Sequence, residues 1–272
     1  MVAEIVLIAG EEGERFGPLE FMSFPGGERH VRLPVAAPDW AGACVHADWT
    51  IEARIYTPAD IMDLLLTHDA LKRALPAGAR LSLVLPYVPY ARQDRVAVAG
   101  EPLSIKVFCS LINSMGFSSV EIWDPHSDVT PALLDNVVVA PTPQLMINAM
   151  APSGNASLLR TCAFVAPDAG ARKRVSELAK HFKTEVVFAD KVRDPVTGNL
   201  SGAEVRGALP ERPLLIVDDI CDGGGTFIQL AQVLREKTSQ PLYLYVTHGL
   251  FTKGIEVLHP YFKGIFAANI RA

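Results

Sequence analysis

Short aliphatic and β-branched runs alternate along the chain with stretches whose apolar residues recur every three to four positions. EIVLIAG, RLSLVLPYVPY, SVEIWDPH, CAFVAPDAG, EVVFAD and PLLIVDDI read as buried strands. ADIMDLLLTHDALKRAL, SIKVFCSLINSMG, ARKRVSELAKHF and TFIQLAQVLREK have helical spacing. Strands without polar alternation, separated by amphipathic helices, predict parallel sheets covered on both faces, an α/β fold. The alternation runs through twice. A first lobe over residues 1–140 ends at the turn-forming APTPQ, and a second over 141–272 takes its first strand around Thr161 to Ala166. Two such lobes predict a ligand cleft at the carboxyl ends of their strands. Residues 193–211, RDPVTGNLSGAEVRGALPE, carry Pro195, Gly198, Gly202, Gly207 and Pro210 and are expected to form an extended lid without helix or strand.

Composition narrows the partner. The 272 residues are 49% hydrophobic, enough to fill substantial cores, and the net charge is −5. A negative chain is not generically attracted to nucleic acid or an anionic membrane, so a small molecule is expected. The apolar run of MVAEIVLIAGEE is only about six residues long and lacks a basic lead-in, so neither a membrane span nor export is expected. Cys44, Cys109, Cys162 and Cys221 stand far apart without a CxxC pair, which suits reduced thiols packed as small apolar groups in a cytoplasmic protein.

The candidate chemistry centres on LLIVDDICDGGGTFIQLAQVL, residues 214–234. The strand Leu214 to Val217 is expected to deliver Asp218 and Asp219 to its end, and the turn Asp222-Gly223-Gly224-Gly225 to feed a helix starting near Thr226. Backbone N–H groups in such a turn, with the helix N-terminus, cradle a phosphate, and glycines allow close approach. The paired carboxylates can accept hydrogen bonds from vicinal hydroxyls, which points to a sugar phosphate. The plainer reading is a strand-to-helix turn whose aspartates cap the helix. Arg92, Gln93, Asp94 and Arg95 follow a strand stiffened by Pro86 and Pro89, and a guanidinium there suits a triphosphate. The alternative is a solvated polar loop. Lys191 and Arg193 precede the expected lid; they are either a pair of cations that folds over a transferring group or an exposed basic turn.

The stretch at 214–234 resembles the phosphoribosyl-diphosphate signature shared by phosphoribosyltransferases and ribose-phosphate diphosphokinases, in which two acidic residues precede Asp-Thr-x-x-Thr. LPYVPYARQDR, EPLSIKVFCSLI, WDPH, APDAGARKR and DKVR resemble blocks of the diphosphokinases, in that family's order and over most of the chain. FPGGERHVRL is similar to the family's nucleotide loop. The resemblance implies two phosphoribosyltransferase-type lobes, each a mainly parallel sheet flanked by helices. It also implies transfer of the β,γ-diphosphoryl group of ATP to the anomeric hydroxyl of ribose 5-phosphate with Mg²⁺. By the same resemblance Phe24, Glu28, Arg92, Gln93, Asp94 and His126 bind ATP. His126 and Asp168 bear on the metal, whose hard-oxygen preference Asp168 suits. Lys191 and Arg193 are catalytic, and Asp218, Asp219, Asp222, Gly223, Gly224, Gly225 and Thr226 hold the ribose phosphate. A homo-oligomer is implied, with the Phe24 loop reaching into a neighbouring copy.

Three departures stand out. The nucleotide loop reads Phe24-Pro25-Gly26-Gly27-Glu28 where the family has Phe-Ser-Asp-Gly-Glu, and SDVTPA follows His126 in place of a stretch containing glutamine and glycine. Gly223 replaces the first threonine of Asp-Thr-x-x-Thr, while Asp222 and Thr226 keep their places. That change is either neutral, because the backbone supplies much of the cradle, or makes room for a 5′-extended acceptor such as ADP-ribose in NAD synthesis. A phosphoribosyltransferase and a non-catalytic regulator that binds a synthetase are the rival classes. Retention of Lys191, Arg193, Asp168, Asp218 and Asp219 speaks against the regulator.

Overall fold

The computed structural model of the chain describes residues 4–10, 13–17, 19–193, 200–205 and 207–271. They form two compact units, Met1–Ala140 and Pro141–Ala272.

In the first unit, β1 (Glu4–Ala9) is followed by β2 (Glu14–Phe16) and by the small hairpin of β3 (Glu20–Ser23) and β4 (Arg29–Arg32). The short α1 (Trp40–Ala43) precedes β5 (Asp48–Arg54), α2 (Pro58–Ala74), β6 (Arg80–Leu85), α3 (Ser104–Ser114), β7 (Ser119–Trp123), α4 (Val129–Leu133) and β8 (Val137–Ala140). The six-stranded sheet has the order β2-β1-β5-β6-β7-β8. From β5 to β8 neighbouring strands are parallel. EIVLIAG departs from the expected parallel arrangement: β1 pairs antiparallel with both β5 and β2. Its burial alternates along the strand, as it does in β5, β6 and β7, so one face of this sheet is more fully covered than the other. Leu7, Ile51, Leu83 and Ile122 of the sheet meet Leu64 and Leu71 of α2 and Ile105 and Ile112 of α3 in one core.

Helix α2 begins where local chemistry says it should. Thr57 and Asp60 form a reciprocal capping box, with Pro58 opening the first turn.

The second unit comprises α5 (Thr142–Met150), α6 (Leu158–Thr161), β9 (Ala163–Ala166), α7 (Arg172–Phe182), β10 (Val186–Arg193), β11 (Leu200–Val205), β12 (Leu214–Cys221), α8 (Gly225–Lys237), β13 (Leu242–Gly249), a 3₁₀ turn at Ile255–Leu258 and β14 (Gly264–Ile270). The strand order is β11-β10-β9-β12-β13-β14. All neighbours are parallel except β11, which pairs antiparallel with β10.

Strand β12 shows why its sequence is apolar without alternation. Leu214 and Ile216 pack with Phe227, Leu230 and Leu234 of α8 on one face. Leu215 and Val217 pack with Phe164, Val175, Phe182 and Met146 on the other. Both faces of the strand are core, so every position is apolar until the chain reaches the end of the sheet.

The stretch expected to be a strandless lid divides differently. Leu200–Val205 is a strand, paired with β10 across a register shift between Val192 and Arg193, while residues 194–199 and 206 lie outside the described residues. As a strand next to the antiparallel edge pairing, this segment accommodates Gly202 where a central strand would be weakened by it.

Candidate functional site

Strand β12 runs four residues beyond Val217, to Cys221, so Asp218 and Asp219 lie within its last stretch. Asp219 is buried, and its N–H donates to Asp218 Oδ1 at 2.9 Å. Burial, then the neighbouring Asp219, and more weakly Asp168 all push the Asp218 carboxyl well above the usual carboxylate range. Asp168, just past β9, therefore belongs to the same electrostatic cluster. Its Oδ1 also accepts the Ala171 N–H at 3.1 Å and so orders the entry into α7. From α7 Arg174 brings Nη1 within 3.5 Å of Asp219 Oδ1 and 3.7 Å of Asp218 Oδ1. Its guanidinium tempers two carboxylates that would otherwise repel each other. Arg174 carries no role in the sequence motifs; the Arg-Lys-Arg run at 172–174, one helical turn after Asp168, is its local signal.

After Cys221 the chain turns through Asp222, Gly223 and Gly224 into α8, which begins one residue earlier than expected, at Gly225. Gly224 has φ +77°, and a Cβ there would stand 2.9 Å from Leu258 Cδ2, so both conformation and packing require glycine. Gly225 is open, with nothing within 4 Å of a built Cβ. No side chain caps α8. The aspartates therefore do not serve as its caps, and the N–H groups that open the helix, including those of Gly225 and Thr226, have no intrahelical acceptor. Asp222 instead binds the loop after β13: Thr252 Oγ1 donates to its Oδ1 at 2.7 Å and Thr252 N–H to its carbonyl at 3.1 Å. The result is a strand end rich in carboxylates beside helix-opening amides that have no intrahelical acceptor. That arrangement can hold vicinal hydroxyls and an anion side by side.

Lys191 and Arg193 lie on the final stretch of β10, where Lys191 stands opposite Ala203 of β11 and Arg193 opposite Leu200. The carboxylate of Asp190, the residue before them, is bound by Arg172.

The residues read as nucleotide-binding lie in the first unit. Phe24 and Glu28 close the tip of the β3–β4 hairpin: Phe24 N–H donates to Glu28 O at 2.9 Å and Gly27 N–H to Phe24 O at 2.8 Å. Phe24 is 49% exposed, an aromatic face held in solvent, with the His30 ring 5.8 Å away. Behind it Arg29 reaches Ser23 Oγ at 2.9 Å and the fully buried Asp63 of α2, Nε to Oδ1, at 2.8 Å. This tether from hairpin to helix was not anticipated, because a lone aspartate on a helix face has no local signature of its partner. Arg92 and Gln93 are exposed and Asp94 half-buried, in a turn after β6. It is shaped by Tyr90 at φ +65°, whose carbonyl accepts the Gln93 N–H at 2.8 Å. His126 is exposed in the turn after β7. Among the described residues no three His, Cys, Asp or Glu side chains converge into a ready-made metal cage.

Burial raises the thiol of Cys109 to about 11 and those of Cys162 and Cys221 to about 12, the behaviour of cysteines packed as apolar groups.

Two α/β units in tandem, the second ending its central strand in carboxylates and a glycine turn, define a phosphoribosyltransferase-type architecture. Residues 156–267 match the phosphoribosyl transferase domain, and residues 12–116 match the N-terminal domain of ribose phosphate pyrophosphokinase. A ribose-phosphate pyrophosphokinase of Pyrococcus abyssi is 30% identical over 261 residues, 90% of this chain and 81% of the relative. One from Cereibacter sphaeroides is 34% identical over 197 residues, 71% of this chain. The chain belongs to the ribose-phosphate pyrophosphokinase family. It spans 56% of the length of the Cereibacter relative and 57% of one from Mycoplasma pneumoniae. The phosphoribosylpyrophosphate synthetase of Mycobacterium smegmatis has the same fold, with a TM-score of 0.67 at 24% identity over 85% of this chain and 72% of that one.

Proposed function

We propose that the protein transfers the β,γ-diphosphoryl group of ATP to the anomeric hydroxyl of ribose 5-phosphate, giving phosphoribosyl diphosphate and AMP. The observation that carries this reading is the junction of β12 and α8. Asp218 and Asp219 lie in the last stretch of the strand, and the amides of Gly223 to Thr226 lead into the helix, in a chain of this family. Asp218 and Asp219 accept hydrogen bonds from the two ring hydroxyls, with Arg174 balancing their charge. The turn and the α8 N-terminus, with Asp222 fixing the loop beside them, receive the 5′-phosphate.

Phe24 stacks on the adenine, Glu28 contacts the nucleotide, and Arg92, Gln93, Asp94 and His126 meet the polyphosphate. The anomeric oxygen attacks the β-phosphorus, the bond from that phosphorus to the α,β-bridging oxygen breaks, AMP leaves, and the hydroxyl proton passes to solvent. Lys191 and Arg193 stabilise the charge of the transferring group. No residue is placed as a general base, so positioning carries much of the acceleration. The carboxylate of Asp168, in a cluster whose mutual repulsion a cation would relieve, would suit Mg²⁺, and His126 of the first unit would bear on the metal through the polyphosphate it meets. When bound, the metal supplies charge neutralisation.

The relatives' name supports ribose 5-phosphate over ADP-ribose, and supports a diphosphokinase over a phosphoribosyltransferase or a regulator. The membership of the first unit in the family's N-terminal domain, which a simple transferase has no use for, supports it further. No described helix is long and apolar enough to cross a membrane. A homo-oligomer sharing its nucleotide site and a cytoplasmic location belong to the same proposal.

The test is AMP formation from ATP and Mg²⁺ with ribose 5-phosphate or ADP-ribose as the acceptor. Ribose 5-phosphate is expected to give AMP and phosphoribosyl diphosphate in equal amounts. AMP release with ADP-ribose alone would sink this reading in favour of the extended acceptor.

A further inference from the structure

At Gly223 the space a side chain would take is occupied from outside. A Cβ built there would lie 3.3 Å from Lys253 Cε, 3.4 Å from Cδ and 3.5 Å from Cγ. The Lys253 stem thus lies along the bare backbone of the turn, with the ammonium one bond beyond. Lys253 itself is exposed, but its backbone position is fixed. The loop that carries it is laced to the turn by the N–H groups of Leu250 and Phe251 on Cys221 O at 2.9 and 3.2 Å. The two bonds of Thr252 to Asp222 continue the lacing, and Gly254 N–H closes on Phe251 O at 2.8 Å. Among the described residues the Lys253 ammonium has no carboxylate partner.

The charges around the turn give that ammonium a purpose. The carboxylates of Asp219 and Asp222 flank the turn that is to hold a phosphate dianion, Arg174 lies against Asp218 and Asp219, and the amides of the turn contribute only partial charges. A full positive charge against Gly223 offsets the repulsion and supplies a charge-assisted hydrogen bond.

We propose that Lys253 is an acceptor-binding residue: its ammonium ligates the 5′-phosphate of the acceptor, and Gly223 lacks a side chain so that the lysine stem can lie against the turn. Lys253 takes over from a side chain at position 223 the task of helping the turn hold the phosphate. The inference rests on the ribose 5-phosphate reading of the same cradle.

Calorimetric titration of ribose 5-phosphate, with Mg²⁺ and AMP present, tests it in the wild type, Lys253→Met and Gly223→Ala. Methionine keeps most of the stem and removes the charge, so affinity is expected to fall about tenfold, and added salt to weaken the wild type more than the variant. Gly223→Ala, whose methyl shifts the stem by a few tenths of an ångström, is expected to lose a smaller part of the affinity, while Lys253→Arg retains most of it. In turnover assays Lys253→Met raises KM for ribose 5-phosphate and leaves kcat nearly unchanged, a split that a merely structural residue would not produce. Equal affinity of wild type and Lys253→Met, or no binding to the wild type, overturns the proposal. A wild type that binds ribose 5-phosphate through Lys253 but forms no AMP would instead overturn the proposed reaction and leave this assignment standing.

Discussion

Asp218 illustrates how much a single residue depends on neighbours that are remote in sequence. Its carboxyl is raised by burial, by Asp219 beside it and by Asp168 fifty positions earlier, so ionising it in the folded chain is unfavourable. A raised carboxyl is neutral in both states at low pH. As pH rises through the ordinary carboxylate range, the unfolded chain ionises while the folded one resists, and stability falls until the folded group ionises too. Asp218→Asn in magnesium-free buffer is therefore expected to raise Tm at neutral pH by about 2–4 °C, the shift made by about 1 kcal/mol in a chain of this size. The gain should shrink towards zero as pH falls below the ordinary carboxylate range. Thermal melts across pH check it, and a gain that does not change with pH would contradict the assignment. Acceptor binding should fall in the same variant, because the amide loses a charged acceptor for a ring hydroxyl. The type of residue at 218 and 219 was legible in the sequence, but the cluster that makes one of them hard to ionise was not.

At the scale of elements, the segments with strong local signatures were the readable ones. α2, α3, α7 and α8 follow their apolar spacing, and β12 its uninterrupted run. LYLYVTHG was not singled out, yet it forms β13, buried at every position. The β3–β4 hairpin was read only as a loop. Its strands are four residues each, too short for a period to stand out, and its position is set by a partner on α2. Arg29 and Asp63 make that connection, with Asp63 fully buried. Arg29→Met leaves the Asp63 carboxylate buried and unpaired, and denaturant unfolding is expected to show a loss of about 3–5 kcal/mol. Arg29→Met combined with Asp63→Leu should recover much of that stability, since an apolar pair replaces an ionic one. Both variants should still raise KM for ATP, because the hairpin that presents Phe24 loses its tether; an unchanged KM would separate the hairpin from nucleotide binding.

For the whole molecule, each unit buries its own core, and the proposed nucleotide contacts lie in one unit while the acceptor cradle lies in the other. If the Phe24 loop serves a neighbouring copy, pairing a Phe24→Ala protomer with a Lys191→Ala protomer gathers both defects into one site and leaves another site of the mixed oligomer intact. Each variant alone is expected to be nearly inactive, and co-expression to restore activity well above either one. No recovery in a confirmed mixed oligomer would rule the shared site out. The α/β class was settled by the sequence itself, because hydrophobic periodicity is a local property and a strand with two buried faces must be apolar throughout. So was the strand, glycine turn and helix over 214–234, because those signals are contiguous. Only the tertiary structure decided that β1 runs antiparallel, that Arg174 faces the two aspartates and that Lys253 lies over Gly223. Those facts depend on pairing between distant segments, which is selected by packing and charge once the chain has folded and leaves no periodic trace along it.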